Sequence, residues 1–166
     1  KVEVINISRA RQSGENVAGT VNSIQAEALG IMGLMEGKNG EPANTGLDEE
    51  MTRGEAVKAF VKAIGKEKEA LGNKRPCTFS DVGDELSHYV GYAEQLGVVK
   101  GVGNDLFNPD APATPRQLLM LYFRLLGIES DNLYENALTV AESNKLVLKF
   151  DMILNADSPL TRDGFA

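Results

Sequence analysis

The sequence contains no tryptophan, one cysteine and one histidine. The single cysteine, Cys77, has no partner for an intrachain disulfide, so cysteine usage neither requires nor excludes an extracellular location. A Cys–His catalytic pair would have to consist of Cys77 and His88. The sequence shows no third residue that would orient the histidine. Acidic residues are numerous, but no motif orders two of them as a catalytic pair. We therefore predict that the chain is not an enzyme and uses no cofactor and no metal.

The chain also lacks an excess of positive charge and a long apolar run. Its 17 Lys and Arg against 24 Asp and Glu leave a formal net charge of -7. Nucleic-acid binding needs a basic face, so DNA and RNA are excluded as partners. The longest apolar stretch, 118–123, is far shorter than the ~20 residues that cross a bilayer. We expect no membrane insertion, while 42% apolar residues in a chain of 166 suffice for a folded core.

The middle of the sequence predicts a helix–loop–helix unit. Residues 86–96 carry apolar side chains at helical spacing, and Gly97 follows where a helix often ends in glycine. After a loop, residues 114–117 read Thr-Pro-Arg-Gln, which combines a capping box with proline at the first helical position. The next segment, 118–126, is apolar almost all round and stops at Gly127. It predicts a second helix in the centre of a bundle.

The same pattern recurs on both sides of this unit. Residues 34–37 match 98–101, and residues 52–55 form a second Thr-x-x-Glu capping box before another apolar helical face. A third copy starts near Tyr134, is helical over 137–141, and reaches Thr-Arg-Asp-Gly at 161–164. Three copies in register predict an internal repeat.

The repeat divides the chain into segments and predicts an all-α fold of tandem helix–loop–helix repeats packed as a helical bundle, with short strands at most. The third copy opens its second helix only at Thr161, so we expect it to be incomplete at the C-terminus. The charged stretch 65–76 is expected to be a solvated linker. The segments are an unassigned N-terminal part, 1–23, and three copies, 24–76, 77–130 and 131–166.

This repeat resembles the S-layer homology family. The family pattern is Phe-x-Asp-Val, a helix, Gly-apolar-apolar-x-Gly, a Phe-x-Pro loop, and Thr-Arg-Ala-Glu opening a second helix. The second copy carries it at 79–82, at Gly97 and Gly101, and at 107–109, while the first copy carries it at 52–55. The resemblance implies a three-pronged bundle that attaches an exported protein non-covalently to secondary cell-wall polysaccharide. It implies an extracellular location at the cell wall or S-layer, with other surface-layer proteins as further partners.

The resemblance also implies carbohydrate-binding residues. Arg53 and Arg162 stand at the arginine of the family motif, Arg116 is displaced by one position, and Asp81 belongs to Phe-x-Asp-Val. The family ligand is anionic, often ending in a ketal-pyruvylated amino sugar. An arginine in the first turn of a helix adds a planar fork to unpaired backbone N–H groups and the positive helix end, so the motif predicts a carboxylate site.

Several features leave other interpretations open. The tryptophan usual in the family's first helix is missing, and Glu85 and Tyr134 stand at its place in the second and third copies. The arginines could stand at helix starts without binding a ligand, and Asp81 could be a helix cap. A degenerate copy could serve as a protein–protein interaction or scaffold module without binding glycan. A calcium loop at 104–110 is a further alternative, but its spacing differs from that of an EF-hand.

Overall fold

The computed structural model describes residues 49–73, 77–145 and 157–160. No β-strand forms within these ranges, which contain two isolated bridges, so the described part is compatible with the predicted all-α fold. The expected first segment 1–23, the matching residues 34–37, and Arg162 lie outside the described ranges. The described helices are α1 (Arg53–Ala63), α2 (Glu67–Leu71), α3 (Asp84–Gln95), α4 (Pro115–Leu126) and α5 (Ala137–Ser143).

Both predicted capping boxes are confirmed. The Thr52 hydroxyl accepts from the Glu55 N–H at 3.2 Å, and the Glu55 carboxylate accepts from the Thr52 N–H at 2.9 Å. Thr114 and Gln117 repeat this exchange at 3.2 and 3.3 Å, with Pro115 at the first position of α4. Each box satisfies two backbone donors that a helix start leaves unpaired, so these threonines fix where α1 and α4 begin.

The helix ends were also predicted in place. Gly97 follows the last turn of α3 with φ of 72°, and Gly127 closes α4 with φ of 65°. This left-handed conformation costs glycine nothing and penalises side chains that carry a Cβ. The loops after α3 and α4 therefore leave the helices where the glycines stand.

The prediction of a solvated linker over 65–76 is wrong in part. Residues 67–71 form α2, and Ala70 is fully buried against the core shared by α1 and α3. The Tyr89 hydroxyl on α3 donates to the Glu67 carboxylate at 3.0 Å. Glu, Lys, Ala and Leu are strong helix formers, and Ala70 and Glu67 give this charged stretch its contacts with the core and with α3.

The main core lies between α1 and α3 and receives α4 from one side. Its only ring pair joining α1 to α4 within the described ranges is Phe60 edge-on to Tyr122 at 5.0 Å. Helix α4 is buried at Leu119, Met120, Leu121 and Phe123, whereas Leu126 is 54% exposed, so the expectation of a helix buried along its whole length is wrong for its last turn. The buried members of this core are Val57, Phe60, Val61, Ala70, Tyr89, Val90, Ala93, Val98, Val99, Phe107 and Leu121.

A ring of three backbone hydrogen bonds joins distant parts of the chain. The Met51 N–H donates to the Leu160 carbonyl at 2.7 Å, the Ala113 N–H to the Met51 carbonyl at 2.8 Å, and the Leu160 N–H to the Ala113 carbonyl at 2.7 Å. All three residues are buried. Each stands directly before a threonine that opens one of the motifs at 52, 114 and 161. The ring therefore gathers these three chain positions at one point.

Candidate functional site

The loop between α3 and α4 is held by Asp81. One carboxylate oxygen accepts from the Phe107 N–H at 2.8 Å and the other from the Asn108 N–H at 2.7 Å. The alternative that Asp81 caps the following helix is wrong, because Gly83 is the N-cap of α3 and no side chain caps it. Asp81 instead closes the loop from a position before α3. Both of its oxygens are used in internal contacts.

These contacts make the stability of the loop depend on pH. The N–H groups of Phe107 and Asn108 stabilise the ionised carboxylate, so the pKa of Asp81 is lowered in the folded chain. A carboxyl with a lowered folded pKa stabilises the fold above its unfolded pKa of about 3.9, and loses that contribution as pH falls through the folded value. We expect Asp81→Asn to be less stable than wild type at neutral pH and the difference to shrink on acidification.

Urea unfolding of both proteins at about pH 7 and about pH 3 measures this difference. An amide accepts only through its oxygen and presents its NH₂ to the second backbone N–H, which explains the loss at neutral pH. Asp157, whose pKa is also lowered, titrates in both proteins and cancels in the comparison. A difference that stays constant between the two pH values would contradict an ionised Asp81 in this role.

Arg53 packs on the loop that Asp81 holds. It is the first residue of α1, its Nε donates to the Phe107 carbonyl at 3.1 Å, and its guanidinium carbon lies 4.7 Å from the centre of the Phe107 ring. This bond uses Nε and not the two terminal amino groups. Those two groups form the planar fork that donates hydrogen bonds to a carboxylate. Burial lowers the pKa of Arg53, because the charged form loses hydration.

The backbone at the start of α1 does not offer the unpaired N–H groups that the sequence predicted. The Arg53 N–H donates to the Ala111 carbonyl and the Gly54 N–H to the Pro109 carbonyl, both at 2.9 Å. The third donor is bound by the Thr52 hydroxyl. The loop before α4 thus consumes the first-turn donors of α1, and an anion here would have to be bound by side chains.

A cleft of about 340 Å³ opens beside Arg53. Its walls are mostly apolar side chains from α1, α4 and the loop between α3 and α4. Arg124, in the last turn of α4, borders it and donates to the Val98 carbonyl at 2.7 Å, while Lys100 is exposed at the edge. The lining residues are Arg53, Ala56, Val57, Val99, Lys100, Gly101, Val102, Phe107, Ala113, Gln117, Leu118, Met120, Leu121, Arg124 and Tyr134.

Two guanidinium groups share this cleft. Burial lowers the pKa of Arg124, as it does that of Arg53, and the charge of Arg124 lowers the pKa of Arg53 further. Two partly desolvated like charges repel each other, and an anion between them would relieve both penalties. The cleft therefore combines two cationic side chains with mostly apolar walls.

Arg116 lies in a different set of contacts. Its Nε and one terminal nitrogen bind the two oxygens of Asp157 at 2.7 and 2.8 Å. Its other terminal nitrogen donates to the carbonyls of Tyr134 and Glu135. The structure therefore brings Arg53 and Asp81 together through Phe107, and places Arg116 in a separate contact with the segment before α5.

Cys77 and His88, the residues of the conceivable catalytic pair, do not line this cleft. Burial raises the pKa of the Cys77 thiol, which is the opposite of an activated nucleophile, and His88 is exposed. Among the described residues no three or more His, Cys, Asp or Glu side chains form a group that could hold a metal ion. No helix in the same ranges combines the length and the apolar character needed to cross a membrane.

Sequence reasoning missed three residues that line the cleft as possible ligand contacts: Lys100, Arg124 and Tyr134. A signal existed for Arg124, since it is the one charge within the otherwise apolar stretch 118–126. Tyr134 was noted only as an aromatic at the position of the absent tryptophan. Lys100 stands between two loop glycines and has no local pattern that marks it.

Comparison with known proteins agrees with the sequence resemblance. The model of the S-layer homology domain family matches residues 78–114, which run from the loop before α3 to the N-cap of α4. This segment is an S-layer homology domain. Domains of this kind are binding modules that are associated with the cell wall. No curated protein and no solved structure matches the chain.

Proposed function

We propose that the chain holds an exported protein on the outside of the bacterial cell wall by binding secondary cell-wall polysaccharide, with the Arg53 cleft as a glycan site. The single observation that carries this proposal is the pair of partly buried guanidinium groups, Arg53 and Arg124, in one apolar cleft. In a chain of net charge -7, two cations kept together at a cost in desolvation indicate an anionic ligand.

The ligand chemistry follows from the shape and polarity of the cleft. Its volume of about 340 Å³ is near the lower end for ligand sites, which suits the terminal sugar of a glycan rather than a long segment. A pyruvyl ketal offers a carboxylate for the Arg53 fork and a methyl group for walls such as Val57 and Leu121. We therefore propose a pyruvylated, anionic sugar as the group recognised. Arg162, which the structure does not describe, is proposed for the equivalent role in the third copy.

We further propose that the three copies form a three-pronged bundle. The ring of hydrogen bonds through Met51, Ala113 and Leu160 supports this arrangement, because each donates to one neighbour and accepts from the other. Equivalent residues of three repeats around a common axis would make such a closed ring. In this arrangement Asp81 and Arg116 support the grooves through internal bonds, and Arg53 is the residue that contacts the ligand.

Co-sedimentation with purified cell-wall sacculi tests the proposed function. We expect the chain to pellet with untreated sacculi and to stay in solution after mild acid has removed pyruvyl ketals, because the carboxylate is then lost. Addition of salt should weaken binding only partly, since charges inside the cleft are screened less than exposed ones. If the intact, folded chain does not sediment with untreated sacculi, the glycan proposal fails and a helical scaffold with a protein partner becomes the better interpretation.

A further inference from the structure

We propose that Tyr134 is a ligand-contacting wall of the Arg53 cleft and that Arg116 and Asp157 form a clasp that positions it. This inference rests on the proposed glycan site and adds two things to it: an aromatic contact supplied by the segment before α5, and a positioning role for the displaced arginine. We use the name clasp for the Arg116–Asp157 pair together with its bonds to residues 134 and 135.

The first observation is the place of Tyr134. It borders the cleft although it stands in the turn 131–136, outside every helix described, and 46% of the residue is exposed. Its phenol is close enough to Arg53 to influence the pKa of that guanidinium. An exposed tyrosine on a turn is not explained by core packing. The part of the residue that Arg116 does not cover is available to a molecule that enters the cleft.

The second observation is how firmly the turn is held. The Arg116 guanidinium lies 5.2 Å from the centre of the Tyr134 ring, and the same side chain donates to the Tyr134 and Glu135 carbonyls. Asp157 then fixes the guanidinium through two parallel bonds of 2.7 and 2.8 Å. All three guanidinium nitrogens of Arg116 are engaged. Arg116 is therefore a positioning residue, and the fork that a ligand carboxylate would need is occupied by the carboxylate of Asp157.

The chemistry of an aromatic wall complements that of Arg53. The face of a sugar ring that carries its C–H groups packs on an aromatic ring, while the carboxylate of the same sugar would bind the guanidinium across the cleft. The ring of Tyr134 would thus replace the aromatic surface that the absent tryptophan leaves missing. Leu133 anchors the turn to the core between α4 and α5, and the clasp adds the bonds that hold residues 134 and 135 themselves, so it positions the ring at the cleft.

Three substitutions at position 134 of the full chain separate the ring from the hydroxyl, with sacculi before and after mild acid as the probe. Tyr134→Ala should weaken binding about fivefold to tenfold, the effect of losing one aromatic contact. Tyr134→Phe should bind as wild type, because the ring remains. Tyr134→Trp should bind at least as well. Its indole would be the single tryptophan of the chain, so its emission should change when untreated sacculi are added and not when acid-treated sacculi are added.

The clasp is tested in the same fluorescent background. Arg116→Gln combined with Tyr134→Trp should lose most of the emission change and bind several-fold more weakly than Tyr134→Trp alone, at a temperature where circular dichroism shows both proteins folded. The inference is overturned if Tyr134→Ala binds as wild type while Arg53→Ala does not, an outcome that leaves the glycan site intact. Failure of the wild-type chain to sediment overturns the proposed function itself, so the two failures are distinguishable.

Discussion

Arg53→Ala is expected to weaken binding to untreated sacculi by about 10- to 100-fold, the range that corresponds to losing charge-assisted hydrogen bonds of about 1.5–3 kcal/mol. The expected cause is loss of the guanidinium fork that would donate hydrogen bonds to the ligand carboxylate. The positive charge of Arg124 in the same cleft also favours an anion there. Binding isotherms by co-sedimentation at a fixed, stated salt concentration measure the change. Binding to acid-treated sacculi should be equally weak for the variant and the wild type.

Two further variants make this result specific. Arg53→Lys keeps the positive charge and loses the planar fork, so it should bind between wild type and Arg53→Ala. Lys68→Ala removes one exposed cation from α2, outside the cleft, and should bind as wild type. The free energy of unfolding of Arg53→Ala should fall by only about 1 kcal/mol, for the lost contacts with Phe107. Unchanged binding by a folded Arg53→Ala would rule out the cleft as the glycan site.

The helix starts and ends could be predicted because their signals are local. Thr52 and Thr114 each bond a residue three positions later, and Gly97 ends α3 through its own backbone conformation. The helix α2 was missed because its pattern of charges resembles a solvated stretch, and the burial of Ala70 that stabilises it depends on α1 and α3. Local capping chemistry is readable in a sequence, whereas a tertiary contact of one small residue is not.

The candidate site was predicted only in part for the same reason. Arg53 was found because it stands at the arginine of the motif that the S-layer homology family shares. Along the sequence, the partners of Asp81 lie 26 and 27 residues away, and those of Arg116 lie 18 to 41 residues away. No local sequence pattern therefore predicts the role of either residue. The one-residue displacement of Arg116 was visible in the sequence. Its outcome, an internal clasp in place of a ligand contact, depends on where Asp157 and Tyr134 are brought by the fold.

The second glycine of the loop motif, Gly101, should be the position where one added methyl group has the largest effect on stability. A Cβ there would lie 2.5 Å from Cε1 of Phe79 and 2.6 Å from the carbonyl oxygen of Leu106. The Phe79 ring could turn, but the Leu106 carbonyl is held in place by the hydrogen bond that it accepts from the Val102 N–H at 2.7 Å. We expect Gly101→Ala to lower the free energy of unfolding by about 3 kcal/mol, the upper part of the range for overpacking.

Thermal unfolding followed by circular dichroism measures the effect, and a loss of this size corresponds to about 6 to 12 °C in a chain of this length. Gly83→Ala is the matched control, because a Cβ at Gly83 meets nothing within 4 Å, and its cost should stay within about 1 kcal/mol. Equal stability of the two variants would show that the loop can move away from position 101. If the added methyl group instead displaces Leu106 at a cost in stability, Phe107 is displaced with it, and Phe107 supports Arg53. Gly101→Ala should then also weaken binding to sacculi below the unfolding temperature, whereas Gly83→Ala should not.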